Sequence, residues 1–382
     1  MILNNLGTAL QGDPVHIRAI NDKIAEVSAS PLVSMPDLLS LDLNGALVFP
    51  GLINSHDHLD FNLFPALGDK TYNDYTEWGN YIHQNYKEEI DKVLKIPVGL
   101  REAWGIYKNL LCGVTTVVNH GEKIKKPTNL ITVHEDCQSI HSVQFGKKWK
   151  LSLNNPLKKN VPAAIHTGEG TTVSATREID TLSKWNLLKR PVIGVHGVAM
   201  SAKQAKEFKA LIWCPESNYF MLDQTAPVNL LKAHTAILFG TDSTLTGNWN
   251  IWEHIRLARK TGYLTDQEIF DSLTTNAALA WKLQSGAIAQ YKQADLVIAR
   301  NKNATSVPDA FFSIGPEDLL LVLHNGHISL FDEELLPQLK NIDPSDYSRV
   351  SIQGAFKYVA GDVQQLMDEI RNYYPEASFP VT

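Results

Sequence analysis

This sequence is poor in cysteine: Cys112, Cys137 and Cys214 are the whole complement of its 382 residues. None forms a Cys-x-x-Cys pair, which excludes a disulfide framework and a thiolate metal knuckle. No apolar run reaches the length that crosses a bilayer. The opening Met1-Ile-Leu-Asn-Asn-Leu6 lacks the basic flank and apolar core of a secretory leader. A cytoplasmic protein, free of membrane, is the expectation. Positive charge is also in short supply, with 35 Lys and Arg against 41 Asp and Glu, a formal charge of −6. The one basic cluster, Lys147, Lys148, Lys150, Lys158 and Lys159, reads as exposed loop, so nucleic acid is not an expected partner.

What the chain does have is histidine in an informative place. Phe49-Pro-Gly-Leu-Ile-Asn-Ser-His-Asp-His58 reads as one strand, a turn, and a second short strand that ends on His56 and His58. Residues two apart on a strand share a side, so both imidazoles face one point while Asp57 faces away. Such a pair is half of a site for a divalent transition metal, zinc above all. A lone His-x-His is often no more than two neighbouring histidines, so the pattern downstream decides.

A chain of this length accommodates one large α/β barrel with an attachment, or two ordinary domains. Residues 1 to 50 alternate short apolar stretches with turns, and the texture returns in Ala294–Ala299 and Leu319–Ile328, where Asn325-Gly326 signals a hairpin. Two strand-rich ends that bracket a long middle can pair into one discontinuous β domain. In the middle, apolar runs at Leu52-Ile53, Val114–Val118, Ala163–Ile165, Val192–Val195, Ala210–Trp213 and Ala236–Phe239 alternate with helical stretches. The helices expected are Val98 to Leu111, Glu178 to Leu188, Ala202 to Lys209, Trp252 to Thr261 and Asp266 to Trp281. That alternation predicts a parallel sheet buried on both faces, closed into a TIM-type (β/α)8 barrel with its chemistry at the strand C-termini. Between His120 and His166 two further strands must fit into about half the usual length. Leu130 to His134 and Ile140 to Val143, or Trp149 to Leu153, are the candidates, so the barrel is shortened in its middle.

Metal-capable residues recur where those runs stop. The first ends on His56 and His58, the third on His166 within His166-Thr-Gly-Glu169, the fourth on His196, and the last on Gly240-Thr-Asp242. Singly, each has an ordinary use: a hydrogen-bonded core histidine, a solvated glutamate, an aspartate that caps the next segment. All six at successive strand ends is a poor coincidence.

These segments resemble the amidohydrolase superfamily, in its cytosine-deaminase-like and chlorohydrolase-like branch. Pro50–His58, Gly113–Val118, His166–Glu169, Gly194–His196, Cys214-Pro-Glu-Ser-Asn218, Gly240–Asp242, Thr275–Ala278 and Gln293–Val297 match in family order over roughly residues 45 to 300. The resemblance implies a metal held by His56, His58, His166 and Asp242, with Glu169 and His196 acting on water and substrate. It also implies a small β-sandwich domain from residues 1–50 and 286–345 around a barrel of 51–285, with a C-terminal helical extension at 346–382. A homodimer is its ordinary assembly. The chain departs from the family in the shortened middle and in His-Thr-Gly-Glu-Gly, which replaces the commoner His-x-Ala-Glu-Thr. No obvious lysine marks a bridge to a second metal, so one ion is expected: zinc, with iron or manganese also suited to the ligand set.

The chemistry then reads as metal-activated water attacking a carbon that bears nitrogen, in a small molecule and most plausibly a deamination. Asp242 takes a proton from that water, Glu169 protonates a ring nitrogen and the departing amine, and His196 steadies the developing charge. Asp60, Asn62, Trp78, His120 and Asn218 are candidates for contact with substrate, whereas Tyr72, Tyr75, His83, His134, His141 and His254 read as structural or surface residues. Two alternatives share the scaffold: a cyclic-amide, amidase or dechlorinating hydrolase, and a barrel that binds without catalysis.

Overall fold

A computed structural model describes residues 1–126, 128–302 and 305–382. The amino-terminal end forms β1 (Ile2–Thr8), β2 (Pro14–Ile20), β3 (Lys23–Ser28) and β4 (Ser40–Pro50). Eight parallel strands follow: β5 (Leu52–Asp57), β6 (Val114–Asn119), β7 (Thr132–His134), β8 (Gln138–Ser142), β9 (Ala163–Thr167), β10 (Val192–His196), β11 (Ala210–Trp213) and β12 (Ala236–Phe239). The carboxy-terminal end supplies β13 (Leu296–Ala299), β14 (Leu319–His324), β15 (His327–Asp332), β16 (Tyr347–Ile352) and β17 (Ala355–Ala360).

Both chain ends enter one nine-stranded sheet, in the order β16-β17-β15-β14-β13-β4-β1-β2-β3. The join lies between β13 and β4, where Val297 pairs with Phe49 in antiparallel register. Side-chain alternation divides its two faces. Leu47, Phe49, Val297 and Ala299 pack toward the helices with Trp252 and Phe311, whereas Ala46, Val48, Leu296 and Ile298 pack with Ile17, Leu321 and Phe331 on the other side.

The middle strands make an α/β unit of two parallel sheets, β5-β6-β7 and β12-β11-β10-β9-β8. Every residue of β5, β6, β9 and β10 is buried, as befits strands covered on both faces and rich in β-branched side chains. A parallel bridge between Asp57 and Asp242 ties the end of β5 to the turn after β12. Among the described residues no helix is long and apolar enough to cross a membrane.

Three local expectations are revised. Trp149–Leu153 is a short helix, and the crowded region is solved by β7 and β8 joined through three residues, with no crossover helix between them. The stretch 266–281 is two helices, Asp266–Leu273 and Thr275–Trp281, broken at Thr274. The segment 346–382 carries β16 and β17 before its single helix Val363–Tyr373, so most of its first half extends the sheet. Its signal is Gln353-Gly354, both at positive φ (49° and 85°), a tight two-residue hairpin turn like Asn325-Gly326.

Candidate metal centre

The ends of β5, β9 and β10 and the turn after β12 meet at one point. His56 and His58 leave β5 on the same side, His166 sits on β9, His196 closes β10, and Asp242 follows β12. His166 Nε2 lies 3.3 Å from His56 Nε2 and 3.4 Å from His58 Nε2. Asp242 Oδ1 lies 3.4 Å from His56 Nε2 and 3.5 Å from His58 Nε2. All four donor atoms lie within 4.8 Å of one another, a spacing that could hold a metal ion.

The donors also have the right protonation. Burial, then the His56 charge, lowers His58 to about 4, and burial with the surrounding imidazoles puts His166 well below its ordinary value. His58 and His166 are therefore neutral at neutral pH, as ligation needs. His166 Nδ1 donates to the His141 carbonyl at 2.7 Å, which leaves the Nε2 lone pair for the cage. Burial alone would raise the Asp242 carboxyl, but the imidazoles of His56, His196 and His58 hold it well below the usual carboxylate range. Its Oδ2 accepts from Ser217 Oγ at 2.7 Å and Thr246 Oγ1 at 3.1 Å, so Oδ1 is aimed at the cage. Asp242 and His196 both hold left-handed backbone, φ 64° and 71°, where non-glycine residues are uncommon and strain marks a functional constraint.

Glu169 and His196 stand beside the cage, with His196 Nε2 3.4 Å from Glu169 Oε1. Burial and then the Asp242 charge push the Glu169 carboxyl well above its ordinary pKa. Burial lowers His196 to about 3, which keeps it neutral. Asn218 is buried and reaches His196, its Nδ2 2.9 Å from Nδ1.

Beneath the cage lies a buried polar support that the sequence reading did not anticipate. Asp57, facing away from the imidazoles, pairs with Lys108 Nζ at 3.0 Å and accepts from Asn109 at 2.8 Å and Asn62 at 2.7 Å. Asn54 bonds to Asp57, Asn109 and Thr241, and so joins β5 to the turn that carries Asp242. Lys108 and Asp57 are 2% and 0% exposed, so neither charge has water to fall back on. Lys108→Met therefore leaves an unpaired buried carboxylate and lowers unfolding free energy by about 3–5 kcal/mol, measurable by urea denaturation.

A cavity of about 450 Å³ opens onto the cage. His58, His166, Glu169, His196 and Asp242 form its floor, and its walls are largely apolar, with Phe61, Phe64, Trp78, Ile82, Ile90 and Leu245. The helix Tyr75–Asn85 and the helix Lys87–Leu94 cover one side. A strap before the first helix is clipped to the loop that carries Glu169. Tyr75 N donates to the Glu169 carbonyl at 3.1 Å, Thr171 N donates to the Asn73 carbonyl at 2.9 Å, and Asp74 bridges Gly170. A Cβ at residue 170 would meet Asp74 Cβ at 2.7 Å and the Asn73 carbonyl oxygen at 2.9 Å. Gly170→Ala thus forces strap and loop apart. It is expected to lower stability by about 1–3 kcal/mol, with a lower kcat/KM at unchanged metal content, read by thermal unfolding and steady-state kinetics.

The residues expected to touch substrate separate here. Trp78 lines the cavity, its Nε1 held by the Leu67 carbonyl at 2.7 Å. Asp60 instead pairs with Arg101 at 3.3 Å, and Asn62 is spent on Asp57, so both turn from the cavity. His120 is buried behind the ligand rings, 4.3 Å from His166 between centroids, and Asn218 acts through His196. Two histidines read as structural or surface residues, His83 and His141, line the cavity. No periodicity marks them, because one rides the covering helix and the other a five-residue strand.

Comparison with known proteins places this geometry. A sequence model of the amidohydrolase family matches residues 154–329. The 5-methylthioadenosine/S-adenosylhomocysteine deaminase of Pyrococcus furiosus is 24% identical over 417 residues, covering 88% of this chain and 96% of its own. A 5'-deoxyadenosine deaminase of Methanococcus aeolicus is 23% identical over 375 residues, covering 78% and 86%. Among solved structures, a zinc-bound adenosine deaminase from Xanthomonas campestris superposes with a TM-score of 0.71 at 15% identity, over 98% of both chains. Sequence model, relatives and fold converge: the chain is similar to the amidohydrolase family over residues 154–329 and shares the fold of its solved deaminases.

Proposed function

We propose that this protein is a metal-dependent deaminase of small, uncharged amino-heterocycles. His56, His58, His166 and Asp242 would hold the cation, and zinc is the first choice for three imidazoles and a carboxylate. Bound there, a divalent ion supplies acidified water at neutral pH. Asp242, ionised and held by Ser217 and Thr246, receives the proton released as the attack proceeds. Glu169 would give its proton to a ring nitrogen, and the proton taken up by Asp242 would pass to the departing amine. Glu169 would recover a proton from the new hydroxyl as the carbonyl forms, with His196 donating a hydrogen bond to the attacking oxygen.

The observation that carries this reading is Glu169: a buried carboxyl beside the four donors and 3.4 Å from His196, its pKa raised by burial and the Asp242 charge, where expulsion of ammonia needs an acid. The substrate class follows from the cavity. The described residues that line it include no lysine or arginine, so nothing there neutralises a phosphate or carboxylate, and its aromatic walls suit a planar ring. Of the purines named for the relatives, 5-methylthioadenosine and 5'-deoxyadenosine are uncharged and amine-bearing and support the same class, whereas S-adenosylhomocysteine carries a carboxylate and does not. Ammonia release from a panel of aminopurines, aminopyrimidines and pterins tests the reading: turnover of neutral members with discrimination against their phosphorylated forms is expected. Lactone or cyclic-amide hydrolysis without ammonia would replace it.

The two parallel sheets are read as one shortened barrel, supported by the Asp57–Asp242 bridge across one seam. The nine-stranded sheet is read as folding over itself into a sandwich, supported by the cluster that joins Ile17 and Leu41 to Leu321 and Phe331. On this division the sandwich takes residues 1–50 and 286–360, and 51–285 form the catalytic unit.

A further inference from the structure

A neutral imidazole carries one proton on one of two nitrogens, and the ring itself does not choose. For His196 the choice decides what it can do. With the proton on Nε2 it donates a hydrogen bond into the site; with the proton on Nδ1 it offers a lone pair that competes for the cation. Asn218 touches Nδ1, but an amide can present either its oxygen or its NH2 group there, so Asn218 alone fixes nothing.

The direction is set further back. Trp213, at the end of β11, is wholly buried, and an indole N–H can only donate. It donates to Thr225 Oγ1 at 2.6 Å. The Thr225 hydroxyl, its oxygen so engaged, turns its own hydrogen toward Asn218 Oδ1 at 3.4 Å. The amide oxygen is then occupied, and the NH2 group faces His196 Nδ1 at 2.9 Å. Nδ1 must accept, so the proton resides on Nε2, which points at Glu169 Oε1.

We propose that Trp213 and Thr225 are positioning residues that fix the tautomer of His196 through Asn218. Neither lines the cavity, and both act on the chemistry through one oriented chain of hydrogen bonds. The chain also keeps His196 out of the ligand set, because a protonated Nε2 has no lone pair to offer. This separates a four-donor cage from a further imidazole stacked beside it, 5.3 Å from His166 between ring centroids. The kinetic consequence rests on the deaminase reading; the tautomer does not.

The test is Thr225→Val, which keeps the shape of a half-exposed side chain and removes only the hydroxyl, with Thr225→Ser as the rescue. Nitrogen-15 histidine spectra of the zinc-loaded protein read the tautomer, with His196 assigned through His196→Asn. Wild type and Thr225→Ser are expected to show Nε2–H alone, and Thr225→Val a mixture of tautomers. kcat in Thr225→Val falls about tenfold or more, with KM and bound zinc unchanged. A Thr225→Val protein that keeps Nε2–H alone, or a wild type with Nδ1–H, overturns the proposal. A tautomer that depends on Thr225 in a protein that releases no ammonia upholds the chain and removes the deaminase reading. Turnover of aminopurines with a tautomer indifferent to Thr225 does the reverse.

Discussion

Replacing His166 by alanine is expected to empty the cage and stop turnover. His166 Nε2 forms two of the cage's measured edges, to His56 and His58, and its Nδ1 is anchored on the His141 carbonyl. Loss of an outer partner to a metal ligand typically costs about 10–100-fold in affinity, and loss of the ligand itself exceeds that. Plasma emission spectrometry of the purified variant should find well under one equivalent of metal, with ammonia release at background. A variant that retains a full equivalent would mean that the ion is held elsewhere, and the proposed chemistry would lose its centre.

Glu169→Gln separates metal binding from proton transfer. The side chain is isosteric and stands outside the four donors, so bound metal is unchanged. The amide cannot deliver a proton, and kcat falls by about 10²–10⁴. The pH profile carries a second signature. Burial and the neighbouring Asp242 raise the Glu169 pKa, and the protonated form is the active one. Activity in the wild protein is therefore retained below that raised pKa and lost as pH rises through it. In the glutamine variant this alkaline limb disappears from the residual rate. Full activity in Glu169→Gln would remove the residue from the mechanism.

Much of this site is legible in the sequence, for a definable reason. A strand has a period of two and a parallel strand has a chemical end, so His56-x-His58 and the polar residue after each apolar run can be placed without coordinates. The same logic locates β6, β9, β10, β11 and β12 to within a residue or two. It fails where an element is too short to show a period. Trp149–Leu153 is apolar enough for a strand and forms one helical turn. The hairpin β16–β17 escapes it because Gln353-Gly354 is a weaker turn signal than Asn325-Gly326, although both take the same left-handed conformation.

Long-range pairing is the other gap. Asp57 with Lys108 spans 51 positions and Asn54 with Thr241 spans 187, and neither pair has a local signature. Asp60 and Asn62 sit next to the ligand histidines in sequence, yet Arg101 and Asp57 claim them first. Proximity along the chain is a poor guide to the cavity wall once a strand has ended. The departure at His166-Thr-Gly-Glu-Gly170 also has a spatial cause: the strap crosses Gly170 too closely for any side chain.

That crossing couples two parts of the site. The cover over the pocket and the proton donor beneath it hang from one stitched seam, Asn73 to Tyr75 against Glu169 to Thr171. Whatever displaces one of the two displaces the other, so a substitution in the covering segment is also a substitution against the acid.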